Sequence, residues 1–169
     1  MKTKLILLPL LALTALSAEE PQETAAPTVK QEHGYVSFGL GPAPIPLPIF
    51  SGGYRMQSGH HGADASLQVS TVVSWTLLKA NGYYLHYFNP CATSEFYAGG
   101  GVTVGSIIGD HGGWFTGPEF VFGKQYLTEG QHMRFLQMQV TFPTVSWMHH
   151  HHVDVTAFPM VALSYGWGF

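Results

Sequence analysis

Residues 153–169, VDVTAFPMVALSYGWGF, constrain the fold more than any other stretch of the chain. Counting back in twos from Phe169 gives Trp167, Tyr165, Leu163, Val161, Pro159, Ala157, Val155 and Val153, all apolar or aromatic. Between them lie Gly168, Gly166, Ser164, Ala162, Met160, Phe158, Thr156 and Asp154, which are mostly small or polar. A strand turns successive side chains to opposite faces, so this segment predicts a strand with one greasy side and one small or polar side. A helix cannot produce the pattern, because its period is about 3.6 residues. The strand also ends on an aromatic, where a soluble domain commonly has a frayed polar tail.

The same alternation recurs upstream and predicts about eight strands, at 35–41, 49–58, 63–78, 83–88, 95–108, 114–127, 132–147 and 153–169. In 63–78, for example, Leu67, Val69, Thr71, Val73, Trp75 and Leu77 oppose Ser66, Gln68, Ser70, Val72, Ser74 and Thr76. The connections read as turns. Four prolines stiffen 42–48, and Gly59-His60-His61-Gly62 makes a tight turn. Lys79-Ala80-Asn81-Gly82 carries the Asn-Gly signal of a hairpin. Further reversals are expected at 89–94, 109–113, 128–131 and 148–152. No amphipathic helix of useful length is evident, so the fold class is all-β.

The polar faces have an unusual composition. They are built from Gly, Ser, Thr and Gln with few charges, and charged residues are 10% of the chain against about 25% in an average soluble domain. From residue 35 onward the cations are Arg55, Lys79, Lys124 and Arg134. The acids are Asp64, Glu95, Asp110, Glu119, Glu129 and Asp154. That balance gives nucleic acid no basic patch to bind. A soluble surface so poor in charge would associate, whereas a lipid-facing surface needs no charge.

Turning the sheet inside out resolves the difficulty: the apolar faces meet lipid, and the small and polar faces fill the interior. Without water in the hydrocarbon every backbone polar group must pair, so the sheet must close into an antiparallel, up-and-down transmembrane β-barrel over 35–169. At eight strands the interior is filled by side chains, and no free channel is expected. The expected inward polar residues are Arg55, Gln68, His86, Glu95, Glu119, Gln137, Gln139 and Asp154. Arg55 should pair with at least one of the acids Glu95, Glu119 and Asp154, because an unpaired buried charge is costly. Tyr83, Tyr87, Trp114, Trp147, Tyr165, Trp167 and Phe169 are expected to form interfacial girdles.

The segment ahead of the barrel divides in two. Lys2 and Lys4, the apolar run 5–16 and the small residues Ala15, Ser17 and Ala18 read as a secretory signal peptide, 1–18. Residues 19–34 are acidic and Pro-containing and read as a flexible lead-in. Cys91 is the sole cysteine, so no intramolecular disulfide can form.

Over 35–169 the chain resembles the small eight-stranded outer-membrane β-barrel proteins of Gram-negative bacteria. The most specific element is Val161-Leu163-Tyr165-Trp167-Phe169, which looks like the C-terminal signal read by the family's assembly machinery. The resemblance implies a monomer in the outer membrane, with that machinery and outer-membrane lipids as partners. An even strand number returns the chain to its starting side, so both termini are expected in the periplasm. The connections at 42–48, 79–82, 109–113 and 148–152 would then lie outside, and those at 59–62, 89–94 and 128–131 would face the periplasm. Family members with adhesive or receptor roles usually have long outer loops, and these are short.

Few residues suggest chemistry. His149, His150, His151 and His152 could ligate a metal, with Asp110 and His111 on the same side to add ligands and His60-His61 on the opposite one. The simpler reading of the run is an exposed polar loop. His86 and Glu95 flank the turn at 89–94 and could form a general-base pair if both point inward. Some barrels of the family are lipid-modifying enzymes that use Ser, His and an acid. Here Phe88, not Ser, lies two residues after His86, and an interior hydrogen bond is the simpler role. Gly99 to Gly105 is glycine-rich but lies within a strand and does not cradle phosphate. No cofactor is expected. A structural or surface-interaction role leads. The alternatives are a lipid-modifying barrel enzyme and a secreted soluble β-barrel holding a hydrophobic ligand.

Overall fold

A computed structural model describes residues 30–41, 46–72, 75–90, 93–109, 112–128, 132–148 and 159–169. The strands are β1 (Lys30–Leu40), β2 (Pro48–Ser58), β3 (His61–Val72), β4 (Trp75–Tyr87), β5 (Ser94–Gly109), β6 (Gly113–Thr128), β7 (His132–Thr141), β8 (Val145–Met148) and β9 (Met160–Gly168). Every pairing is antiparallel. The segments β7 and β8 both pair with β6 and form one stave interrupted at Pro143. Phe142 N–H still donates to Pro118 O, and Thr144 N–H to Thr116 O, both at 2.9 Å, so the ladder crosses the interruption.

The ring closes where the first strand meets the last. Tyr35 pairs with Gly168 and Leu40 with Leu163. Phe169 N–H adds a bond to Gly34 O at 2.9 Å. With β5 also paired to β6, the sheet is a closed eight-stave barrel, which abolishes free edges.

The inversion read from the sequence is present. Phe38, Phe50, Leu67, Val102, Phe120, Phe122 and Leu136 stand on the outer wall. In β9, Val161, Leu163 and Trp167 are exposed, as is Phe169 just after it, Tyr165 is half-buried, and Ser164 faces inward. The inner wall carries Ser37, Arg55, Gln57, Asp64, Gln68, Lys79, Asn81, Glu95, Thr103, Glu119, Gln125, Gln137 and Gln139.

Aromatic rings complete the filling of the lumen, several of them laid over a glycine of a neighbouring strand. A Cβ on Gly123 would stand 2.3 Å from the Tyr97 hydroxyl. One on Gly166 would stand 2.2 Å from the Phe135 ring, and one on Gly53 would stand 2.6 Å from the ring of Tyr35. Inward glycines therefore create the width that these rings occupy.

Four expectations are corrected. Residues 79–82 are not a turn: β4 runs straight through them, pairing Lys79 with Gln68 and Gly105, and Asn81 with Ser66 and Thr103. Asn81 donates to Ser66 Oγ at 3.2 Å and accepts from Thr103 Oγ1 at 2.7 Å, so the Asn-Gly preference yields to two ladders and a buried polar cluster. β3 ends at Val72 and β4 begins at Trp75, its register partner, so 63–78 is not one continuous strand. Tyr83 and Tyr87 are buried in the lumen rather than placed in a girdle: Gly101 and Gly99 on β5 stand beside Tyr83 and Leu85, and the Tyr87 ring lies over Gly62 on β3. By the same parity His86 points outward. In addition, β1 begins at Lys30 rather than at residue 35.

Candidate functional site

The lumen is the concentrated polar site of this molecule, and the strand register builds it in tiers. Nearest the end that carries Lys30 and Phe169, Gln57 Nε2 donates to Glu95 Oε2 at 2.7 Å. Gln125 Nε2 donates to Gln57 Oε1 at 3.1 Å. One staggered step further in, Arg55 occupies the centre and is 1% exposed. Its Nε donates to Asp64 Oδ2 at 2.7 Å, and Nη2 donates to Gln137 Oε1 at 2.6 Å. Tyr35 Oη also donates to Asp64, at 2.9 Å, and Tyr97 Oη to Gln137 at 2.8 Å. The guanidinium carbon lies 4.7 Å from the Tyr97 ring centroid and 4.6 Å from that of Phe135. Aromatic faces and charge-assisted bonds together compensate for removing this cation from water.

Toward the other end, Gln68 Nε2 donates to Gln139 Oε1 at 2.7 Å, and Gln139 Nε2 donates to Tyr83 Oη at 3.1 Å. Above them Lys79 Nζ reaches Glu119 Oε1 at 3.2 Å and Thr141 Oγ1 at 3.0 Å. Among the described residues, the barrel therefore holds two buried ion pairs bound into a network of amides and hydroxyls. Beside Lys79, between Ile49, Ser70, Leu77 and Ala162, the free space is about 10 Å³, too small for an organic ligand.

The expected inward residues Arg55, Gln68, Glu95, Glu119, Gln137 and Gln139 all reach this network or the wall beside it. Arg55 does pair with an acid, but the acid is Asp64. Asp64, Lys79, Gln57 and Gln125 complete the network beyond the expected residues. Asp64 shares the parity of Ser66, Gln68 and Ser70, which was a readable signal. Lys79 was concealed by the turn assigned to it.

The general-base pair does not form. His86 stands on the outer wall, its ring 5.8 Å from that of His60 and 5.4 Å from that of Phe88, while Glu95 is buried inside. A barrel wall separates the two side chains. His111, His149, His150, His151, His152, Asp110 and Asp154 lie outside the described residues. Among the described residues no group of His, Cys, Asp and Glu could hold a metal ion. Trp114, Trp167 and Phe169 stand outward as girdle aromatics should.

No family model matches the sequence, and no curated protein matches it. Solved structures do share its fold. It is similar to Neisserial surface protein A (NspA), with a TM-score of 0.59 at 8% identity, over 83% of this chain and 97% of that one. It is also similar to the N-terminal β-barrel domain of Pseudomonas aeruginosa OprF, with a TM-score of 0.50 at 12% identity, over 82% of this chain and all of that domain. The fold is that of the eight-stranded outer-membrane barrels.

Proposed function

We propose that this chain is an outer-membrane β-barrel protein with a plugged interior, serving a structural or surface-interaction role. The single observation that carries this reading is the pairing of an apolar outer wall with buried Arg55–Asp64 and Lys79–Glu119 ion pairs inside a closed ring. A soluble barrel would place those charges in water and Phe38, Phe50, Leu67 and Phe120 in its core.

In this reading residues 1–18 deliver the chain across the inner membrane, and both termini stay in the periplasm. The outward alternation Val161, Leu163, Trp167 and Phe169, with Tyr165 beside Trp167, serves as the assembly signal. The protein acts as a monomer surrounded by lipid. The separation of His86 from Glu95 and the filled lumen argue against a hydrolytic site and against a ligand cavity.

Fractionation tests the reading. The protein should stay with membranes after an alkaline wash and migrate differently on a denaturing gel before and after heating. Release by the wash into a soluble, heat-insensitive form would refute it. In planar bilayers the pure protein should give no large, steady conductance steps. An epitope appended to the C-terminus should stay hidden on intact cells, and surface labelling of it would reverse the orientation.

A further inference from the structure

The described residues of the outer wall sort their charges by end. Among the described residues, every outward-facing Lys, Arg, Glu and His lies in the half that carries Lys30 and Phe169. The opposite half presents uncharged side chains such as Leu40, Val69, Leu78, Ile108 and Trp114.

Within the charged half, Lys124 and Arg134 form a local pair on adjacent strands. Lys124 is the register partner of Leu136, and Arg134 the partner of both Tyr126 and Trp167. Lys124 and Arg134 are thus diagonal neighbours on one face, with Cα atoms roughly 7–8 Å apart. The Lys124 ammonium lies 4.8 Å from the Phe96 ring centroid and 5.0 Å from that of Tyr126, which fixes the side chain against the wall. Glu32 is the outward-facing carboxylate among the described residues. It stands on β1, beyond β9, where Lys30 and Tyr54 already engage it, each at 2.5 Å. Toward the middle of the barrel the same faces of β6 and β7 continue as Phe122, Leu136 and Met138, all apolar.

Among the described residues, two cations without a facing carboxylate, aromatic supports and a greasy track leading inward match the chemistry of one ligand class. We propose that Lys124 and Arg134, flanking Tyr126, bind the phosphate of an anionic glycerophospholipid whose acyl chains lie along Phe122, Leu136 and Met138. The proposal rests on the reading of the outer wall as lipid-facing. The phosphate diester accepts charge-assisted hydrogen bonds from both cations at the water–hydrocarbon boundary, where they are stronger than in bulk water. The ring of Tyr126 suits the same depth.

The test uses the full folded chain in non-ionic detergent, offered equal amounts of phosphatidylglycerol and phosphatidylcholine with identical acyl chains. Retained lipid is counted by native mass spectrometry. The parent should favour phosphatidylglycerol by about fivefold or more, since each basic group near an anionic lipid surface contributes on that scale. K124Q/R134Q should fall below about twofold, while K30Q, whose charge Glu32 already balances, should keep the parent's preference. Equal retention of both lipids by the folded parent, or an unchanged preference in K124Q/R134Q, overturns the site. Displacement of the lipid by inorganic phosphate would identify a simple anion site and overturn the lipid assignment as well. Heat-dependent gel mobility separates the two levels. A folded barrel without preference refutes the lipid site alone, whereas a parent without barrel mobility refutes both this site and the membrane reading.

Discussion

Arg55 and Asp64 are direct register partners across the β2–β3 hairpin, joined by a 2.7 Å bond from Nε to Oδ2, and their side chains are 2% and 0% exposed. The guanidinium cannot reach water, so its stability inside depends on that carboxylate, the Gln137 oxygen and three aromatic rings. Removing the acid leaves a buried charge without its counterion. D64A should cost about 3–5 kcal/mol in urea unfolding from lipid vesicles. The paired replacement R55M/D64L should recover most of that loss, because a hydrophobic filling of similar volume needs no desolvation of charge. A D64A loss below about 1 kcal/mol would show that the pair is not what holds Arg55 inside.

The course of β4 yields a second prediction. If Lys79 and Ala80 lie mid-strand, Cys at 79 faces the filled lumen and Cys at 80 faces lipid. In a C91S background, neither K79C nor A80C should react with a water-soluble maleimide in folded protein. A Cys at the β2–β3 turn, H60C, should react readily because residue 60 is exposed. Rapid labelling at both 79 and 80 would restore the hairpin turn that the Asn-Gly pair suggests.

A third prediction separates two kinds of glycine. Gly123 and Gly166 lie beneath the rings of Tyr97 and Phe135, at 2.3 Å and 2.2 Å from a hypothetical Cβ. Gly52 and Gly100 have nothing nearer than 3.7 Å and 3.8 Å. G123A and G166A should each destabilise the barrel by about 1–3 kcal/mol through overpacking. G52A and G100A should be neutral or slightly stabilising, because alanine restricts the unfolded chain more than glycine does. Equal effects at all four positions would mean that the rings move aside freely.

These cases show what was legible in the sequence. The period of two along 153–169, and its repetition upstream, was sufficient for the closed sheet and for the inversion of its faces, because lipid imposes one sign on every outward position. The polar interior was legible at Gln137 and Gln139, which share a parity, whereas Gln57 and Asp64 were missed although they share the parity of Arg55 and of Gln68. It failed where large residues face inward. In 83–88 the face with Tyr83, Leu85 and Tyr87 looks no less lipid-like than the face with Tyr84, His86 and Phe88. The choice between them follows from glycines on the two neighbouring strands, Gly99 and Gly101 beside Leu85 and Tyr83 and Gly62 under Tyr87, a non-local fact. The Asn-Gly pair misled for a related reason: its local preference competes with cross-strand bonds to Ser66 and Thr103 that no short window contains.

Glu95 supplies the last prediction. It is 1% exposed, and Oε2 accepts from Gln57, but Oε1 has no hydrogen-bond partner among the described residues. Arg55 is committed to Asp64 and Lys79 to Glu119, so neither cation is matched to Glu95. A buried carboxylate with one free oxygen is costly, whereas the isosteric amide can still accept from Gln57 without a net charge. E95Q should therefore leave stability unchanged or raise it by about 1 kcal/mol in vesicle unfolding, opposite in sign to D64A. E119Q should instead lower stability by roughly 1 kcal/mol or more, because it strips Lys79 of its counterion. If E95Q proved as damaging as E119Q, Glu95 would have to be matched by a cation outside the described residues, and the third acid of the lumen would be structural like the other two.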